Sequence, residues 1–156
     1  MRRLGWAALM GALAVALVGA WVGLSLGRGG AELGPCSDDL GVDEEKGVRL
    51  TLNPASVRRG VRSIEYTVRN GRDGPIYFGA PYDVQRFQGG RWTSVEWMKD
   101  RSWIMILYSL GPGESMTLTV DLPEDVEPGC YRLVKTVMLR DFGDELVLAA
   151  TFLVRN

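Results

Sequence analysis

"EPGCYRLVK", residues 127–135, is the stretch whose reading decides the fold. Glu127-Pro128-Gly129 has the composition of a closing loop, because proline presets its own φ and glycine accepts conformations that other residues avoid. An extended run follows. Alternate side chains of a strand face opposite sides, so Tyr131 and Leu133 share one face and Cys130 takes the other. The cysteine is either chemistry or architecture, and the surrounding pattern points to architecture.

The same period of two recurs along the chain. Val48, Leu50 and Leu52 alternate with Arg49, Thr51 and Asn53. Ile64, Tyr66 and Val68 alternate with Ser63, Glu65, Thr67 and Arg69, and Met116, Leu118, Val120 and Leu122 alternate with Ser115, Thr117, Thr119 and Asp121. Each run predicts a strand with one wet face. Residues 146–154 are apolar on both faces, which predicts a central strand or one covered by another surface. Turn signals separate the runs: Asn70-Gly71, Asp73-Gly74-Pro75, Gly111-Pro112-Gly113 and Asp141-Phe142-Gly143-Asp144. Gly89-Gly90 predicts a hairpin between residues 82–88 and 92–97. No long amphipathic helix follows residue 46. Short strands punctuated this often predict an all-β, antiparallel immunoglobulin-like sandwich of seven to nine strands over residues 47–156.

In such sandwiches a tyrosine near the start of the sixth strand turns its hydroxyl back onto the preceding connection and ties the corner. Tyr131 has that position, although a plain core aromatic would fit the same pattern. Leu133 stands where antibody domains carry a core cysteine, so the usual inter-sheet bridge is not expected. Cys36 is the only other cysteine of the chain. In an exported protein the two are expected to pair, stapling the segment before the domain to its wall. Free thiols or an intermolecular bridge are the alternatives.

Composition narrows the function. The chain has 156 residues and no histidine. That removes the commonest general base and metal ligand together, and with them Ser-His and Cys-His nucleophiles. Catalysis by lysine or carboxylates stays open but has no visible constellation, so no enzyme activity, cofactor or metal is expected. A net charge of −1 lacks the basic bias of nucleic-acid binding.

Residues 1–27 read as a separate export element. Met1-Arg2-Arg3 is cationic, and residues 4–26 carry no charge. As one apolar helix these 23 residues rise about 34 Å, enough to cross a hydrocarbon core. The positive end stays in the cytoplasm, which puts the domain outside it at the cell envelope. A signal peptide cleaved near Ala20, releasing a secreted domain, is the competing reading. Gly19, Gly23 and Gly27 have the spacing of packed membrane helices, but Ala- and Gly-rich export segments show it without pairing. Residues 28–46, "RGGAELGPCSDDLGVDEEK", lack periodicity and read as an acidic, Gly-containing linker. Asp38, Asp39, Asp43, Glu44 and Glu45 within it lack the spacing of a calcium loop.

Several segments together resemble a bacterial immunoglobulin-like domain family found in exported proteins. They are "TVRN" ending at Asn70, "YDVQRFQGGRWTSV" from Tyr82, "LGPGE" from Leu110, "GCYRLVK" from Gly129 and the closing "TFLV". The resemblance implies a sandwich outside the cytoplasm and carries over no functional residue. "YDV" and "GPGES" also resemble a bacterial proteinase-inhibitor family of similar build, which is known as intracellular.

Residues 92–108 hold three Trp, one Tyr and two Met. Aromatics and Met favour contact surfaces as well as cores. Trp97, Met98 and Trp103 around Lys99-Asp100-Arg101 are the candidate exposed patch. Arg58, Arg59, Arg62, Arg69 and Arg72 form a second candidate, a basic side suited to an anionic polymer or lipid headgroup. The function expected is a non-catalytic module that binds or scaffolds at the bacterial envelope. Its partner would be an unidentified protein or cell-wall component, and it would meet the membrane through residues 4–26. The alternative is a protease inhibitor presenting residues 97–103.

Overall fold

A computed structural model describes residues 34–37, 40–140 and 143–156. Among these, eleven strands form two sheets. The first sheet has the order β1 (Val42–Glu45), β2 (Val48–Asn53), β4 (Ser63–Asn70), β9 (Ser115–Asp121), all antiparallel. The second is built on the hairpin of β10 (Gly129–Leu139) and β11 (Asp144–Arg155). The short β3 (Ser56–Arg58) pairs in parallel with the end of β11. On the other side of β10 lie β5 (Ile76–Gly79) and β6 (Asp83–Gln88). Beyond them, β8 (Leu107–Leu110) pairs with β5 and β7 (Arg91–Ser94) with β6.

The alternation read from the sequence is the burial pattern observed. Val48, Leu50, Leu52, Ile64, Tyr66, Val68 and Val120 from the first sheet are buried against Tyr131, Leu133, Val137, Leu148, Ala150 and Phe152 from the second. Gly89 and Gly90 both have positive φ, 60° and 75°, as the tight hairpin between β6 and β7 requires. Asn70 is buried and polar, and it organises the turn after β4. Its amide donates to the Gly74 and Leu110 carbonyls at 2.9 and 3.0 Å, while its oxygen accepts from the Arg72 N–H at 2.9 Å.

Three expectations need correction. The strand count exceeds seven to nine because short edge strands form and one strand is divided. β5 and β6 face the same edge of β10, yet Tyr77 lies opposite Met138 and Asp83 opposite Val134. Six residues there span four, so two extra residues bulge out and split the strand. The linker is also shorter than read, because Val42–Glu45 is a strand on the edge of the first sheet. Asp43 fixes it there by accepting the Ala149 N–H at 2.6 Å across the sandwich. Finally, the arginines do not form one cluster. Arg58, Arg59 and Arg62 precede β4, and Arg69 and Arg72 lie at its far end, about 25 Å of strand away. The expected apolar helix over residues 4–26 lies outside the described residues. Among the described residues, no helix is long and apolar enough to cross a membrane.

Candidate functional site

Chain geometry at the start of β10 positions two of the expected features back to back. Cys130 points to the outer face of the second sheet and is bonded to Cys36, with 5.6 Å between Cα atoms. The turn Gly34–Ser37 is thereby held on that face. It covers Leu153, which points outward yet is buried, and Leu40, Phe87 and Trp92 pack around the bridge. Arg132 extends from the same face over the Trp92 ring at 4.6 Å.

On the inner side, Tyr131 stacks on Phe152 with ring centres 5.4 Å apart. Its hydroxyl donates to the Glu127 carbonyl at 2.6 Å, four residues back. Arg86 closes the corner from outside, bonding the Glu127 carboxylate at 2.7 Å and the Pro128 carbonyl at 3.1 Å. Burial raises the Tyr131 pKa above that of an ordinary phenol, so the hydroxyl stays a donor. Tyr131→Phe should cost about 1–2 kcal/mol, because it strands a carbonyl and leaves the ring packing intact. Urea unfolding measures this, and an unchanged midpoint would show that the hydroxyl ties nothing.

The residues after β7 close the open flank between the sheets. Trp97 lies against Tyr131 at 6.2 Å, its Nε1 buried without a hydrogen-bond partner among the described residues. Met98 is buried in the core. Trp103 packs edge-on to Tyr82 at 4.6 Å, and Arg101 covers both rings at 4.7 and 5.1 Å while pairing with Asp121 at 2.9 Å. Trp97, Met98 and Trp103 are therefore packed inward rather than gathered into an exposed patch. As an inhibitor loop, residues 97–103 would be pinned at both ends, with Lys99, Asp100 and Ser102 exposed.

The exposed apolar residues come next in the chain. Ile104, Met105, Ile106 and Leu107 are 68%, 103%, 41% and 51% exposed. The signal was present in "WIMILY", an apolar run without the alternation that would bury half of it. Near these residues, the bulge between β5 and β6 leaves a groove of about 430 Å³ on the outer face, lined by Gly79, Pro81, Asp83, Val134, Thr136 and Met138. A more polar cleft of about 370 Å³ opens at the tyrosine corner beside Arg86, Ser94, Glu96, Asp125 and Glu127. Among the described residues no group of His, Cys, Asp or Glu is arranged to hold a metal ion.

Beneath the bulge sits Lys135, fully buried on the inner face. Its Nζ donates to the carbonyls of Gly79 and Pro81 at 2.6 and 2.7 Å and approaches that of Ala80 at 3.4 Å. These bonds fall where the bulge interrupts the strand ladder. The ammonium also lies over the Phe78 and Tyr66 rings at 5.2 and 5.7 Å. Burial lowers its pKa to about 8.

Residues 44–153 match the family described as bacterial Ig-like domain. The chain belongs to that family. The match spans both sheets from β1 to β11, and its boundary falls within β1, as the structure has it. No match was found among curated proteins. Among solved structures, the alkylpurine DNA glycosylase AlkC of Pseudomonas fluorescens, bound to DNA containing an abasic site analog, is similar at 16% identity and a TM-score of 0.39. The alignment covers 72% of this chain and 32% of the glycosylase. A β-glucosidase from Listeria innocua, in complexes with gluconolactone and with glucose, is similar at 19% and 20% identity and a TM-score of 0.34. Those alignments cover 70% of this Ig-like chain and 16% of the enzyme. The chain thus spans less than a third of each of these proteins.

Proposed function

We propose that this bacterial Ig-like domain is a non-catalytic binding or scaffolding module, held outside the cytoplasm at the cell envelope by residues 4–26. The observation that carries the reading is the Cys36–Cys130 bridge. Disulfides persist in oxidising compartments, and this one joins the segment leading from the export element directly to the sheet wall. Such a joint passes load from tether to domain without first peeling residues 34–37 from the sheet. The family assignment and the lack of histidine in the chain accord with a module that binds rather than turns over substrate. The partner is an envelope protein or cell-wall component. Trp97 and Trp103 pack against the core and are not the surface offered to it.

Alkaline phosphatase fused after Asn156 should be active, and the chain should stay with membranes after an alkaline carbonate wash. Non-reducing mass spectrometry of the cellular protein should find Cys36 and Cys130 linked. An inactive fusion, or reduced thiols in cells, overturns the reading. Release by carbonate leaves the secreted alternative, cleaved near Ala20.

A further inference from the structure

We propose that the outer face of the second sheet lies on the membrane that holds residues 4–26, with residues 104–107 entering the lipid. The inference rests on the tethered reading above and adds an orientation and a contact to it.

Two independent observations meet on this face. The first is where the chain leaves the fold. The bridge holds Cys36 on the outer side of β10, and Gly34 lies so close to Phe87 that a Cβ there would come within 2.5 Å of its ring. Seven residues, 27–33, separate the uncharged segment from Gly34. Fully extended they reach about 25 Å, less than the roughly 36 Å length of the eleven-residue β10. The domain is therefore kept close to the bilayer, on the side from which the tether departs.

The second is what that side exposes. Tyr108 and Leu110 turn inward from β8, the former against Phe78, so Leu107 turns outward. Leu107 is paired with Gly79, which lines the groove together with Thr136, and Thr136 is paired with Val147, itself 56% exposed. A row of uncharged residues thus crosses the sheet from Leu107 on β8 to Val147 on β11, with Asp83 and Glu145 lining the groove beside it. Ile106 borders it, its carbonyl 3.6 Å from the position of a Cβ on Gly79. Residues 103–110, "WIMILYSL", carry no charge, and a tryptophan and a tyrosine flank the four exposed side chains. Both rings pack inward, so the exposed surface of this run is aliphatic and thioether. Within residues 103–110 the absence of charge selects the hydrocarbon boundary rather than headgroup charge.

The test uses the full chain reconstituted in phosphatidylcholine/phosphatidylglycerol vesicles with a diazirine probe that partitions into the bilayer. Labelled peptides are read by mass spectrometry. Labels are expected on residues 4–26 and on 103–108, equally in vesicles of phosphatidylcholine alone. Ile104→Asp/Met105→Asp should cut the second label about tenfold and leave the first, because an ionised carboxylate is costly in hydrocarbon. Both replaced side chains are exposed, so the fold and the bridge remain as controls. Labelling of 103–108 no higher than that of β9 would overturn the inference while the tether stands. No label on 4–26 would remove the tether and the inference together. Shielding of Met105 from an aqueous oxidant without lipid labelling, increasing with protein concentration, would mean that a second copy covers the patch, and would also overturn it.

Discussion

Lys135→Ala is expected to destabilise the domain by about 2 kcal/mol at pH 7 and by about 4–5 kcal/mol near pH 9.5. Truncation removes the donor for the Gly79 and Pro81 carbonyls, which lie where the bulge breaks the ladder with β10. It also empties the volume of the lysine stem beside Tyr66 and Phe78. Opposing these losses is the removal of an ammonium that burial disfavours, with no carboxylate among its contacts to offset the cost. That relief is largest where the lysine is charged, so the net penalty is smaller at neutral pH. Lys135→Met keeps the stem and removes the donor, and should fall between the variant and the wild type.

The pH dependence of the wild type follows from the same residue. An unfolded lysine titrates near 10.4, whereas burial brings Lys135 to about 8. Between those values the unfolded chain holds more protons than the folded one, so stability rises with pH. The gain should be on the order of 2–3 kcal/mol from pH 7 to 10. It is lost again as pH falls through 8. Tyr66, Tyr82 and Tyr131 act the other way, since burial raises each of their pKa values. Unfolded tyrosines ionise near 10, so the curve should turn down above about pH 10. Urea midpoints across this range measure the effect. A flat profile, or a variant that rises as the wild type does, would show that Lys135 is not the group responsible.

Lys135 also marks where sequence reading stops. Alternation from Tyr131 and Leu133 places it on the inner face, but a lysine ordinarily signals solvent. Only the carbonyls of the bulge make its burial tolerable, and the bulge is a two-residue register shift between strands far apart in sequence. Period two made the faces of β2, β4 and β9 legible because each has one wet side. The double glycine marked the β6–β7 hairpin because both positions need positive φ. β1 was illegible because an edge strand of Val-Asp-Glu-Glu buries little and looks like a tether. The candidate patch failed at Trp97, Met98 and Trp103 for a related reason. Aromatic and sulfur side chains serve cores and contact surfaces equally, and only the fold shows that this loop plugs the flank while its uncharged continuation stays outside. The cysteines were legible as a pair, but not that their bridge would fix which face the tether leaves from.

Cys36→Ser/Cys130→Ser should lower stability by about 3 kcal/mol. The bridged residues are 94 apart, and the chain-entropy estimate for closing such a loop is about 4–5 kcal/mol. Part of that is recovered because residues 34–37 are peripheral. Without the bridge they can leave the sheet, while Gly41 still bonds Thr151 and Leu52 at 2.7 Å and β1 stays paired. Their departure would uncover Leu153 and Phe87, so hydrogen exchange should quicken across 34–37 before the rest of the domain is affected. The same release lengthens the tether from residues 27–33 to 27–40, roughly doubling its reach to about 50 Å. Lipid labelling of 103–108 should then fall while that of 4–26 holds, because the orientation comes from the bridge and the anchoring does not. Unchanged stability after reduction would show that the bridge carries no structural load, and undiminished labelling would show that residues 103–108 find the membrane without it.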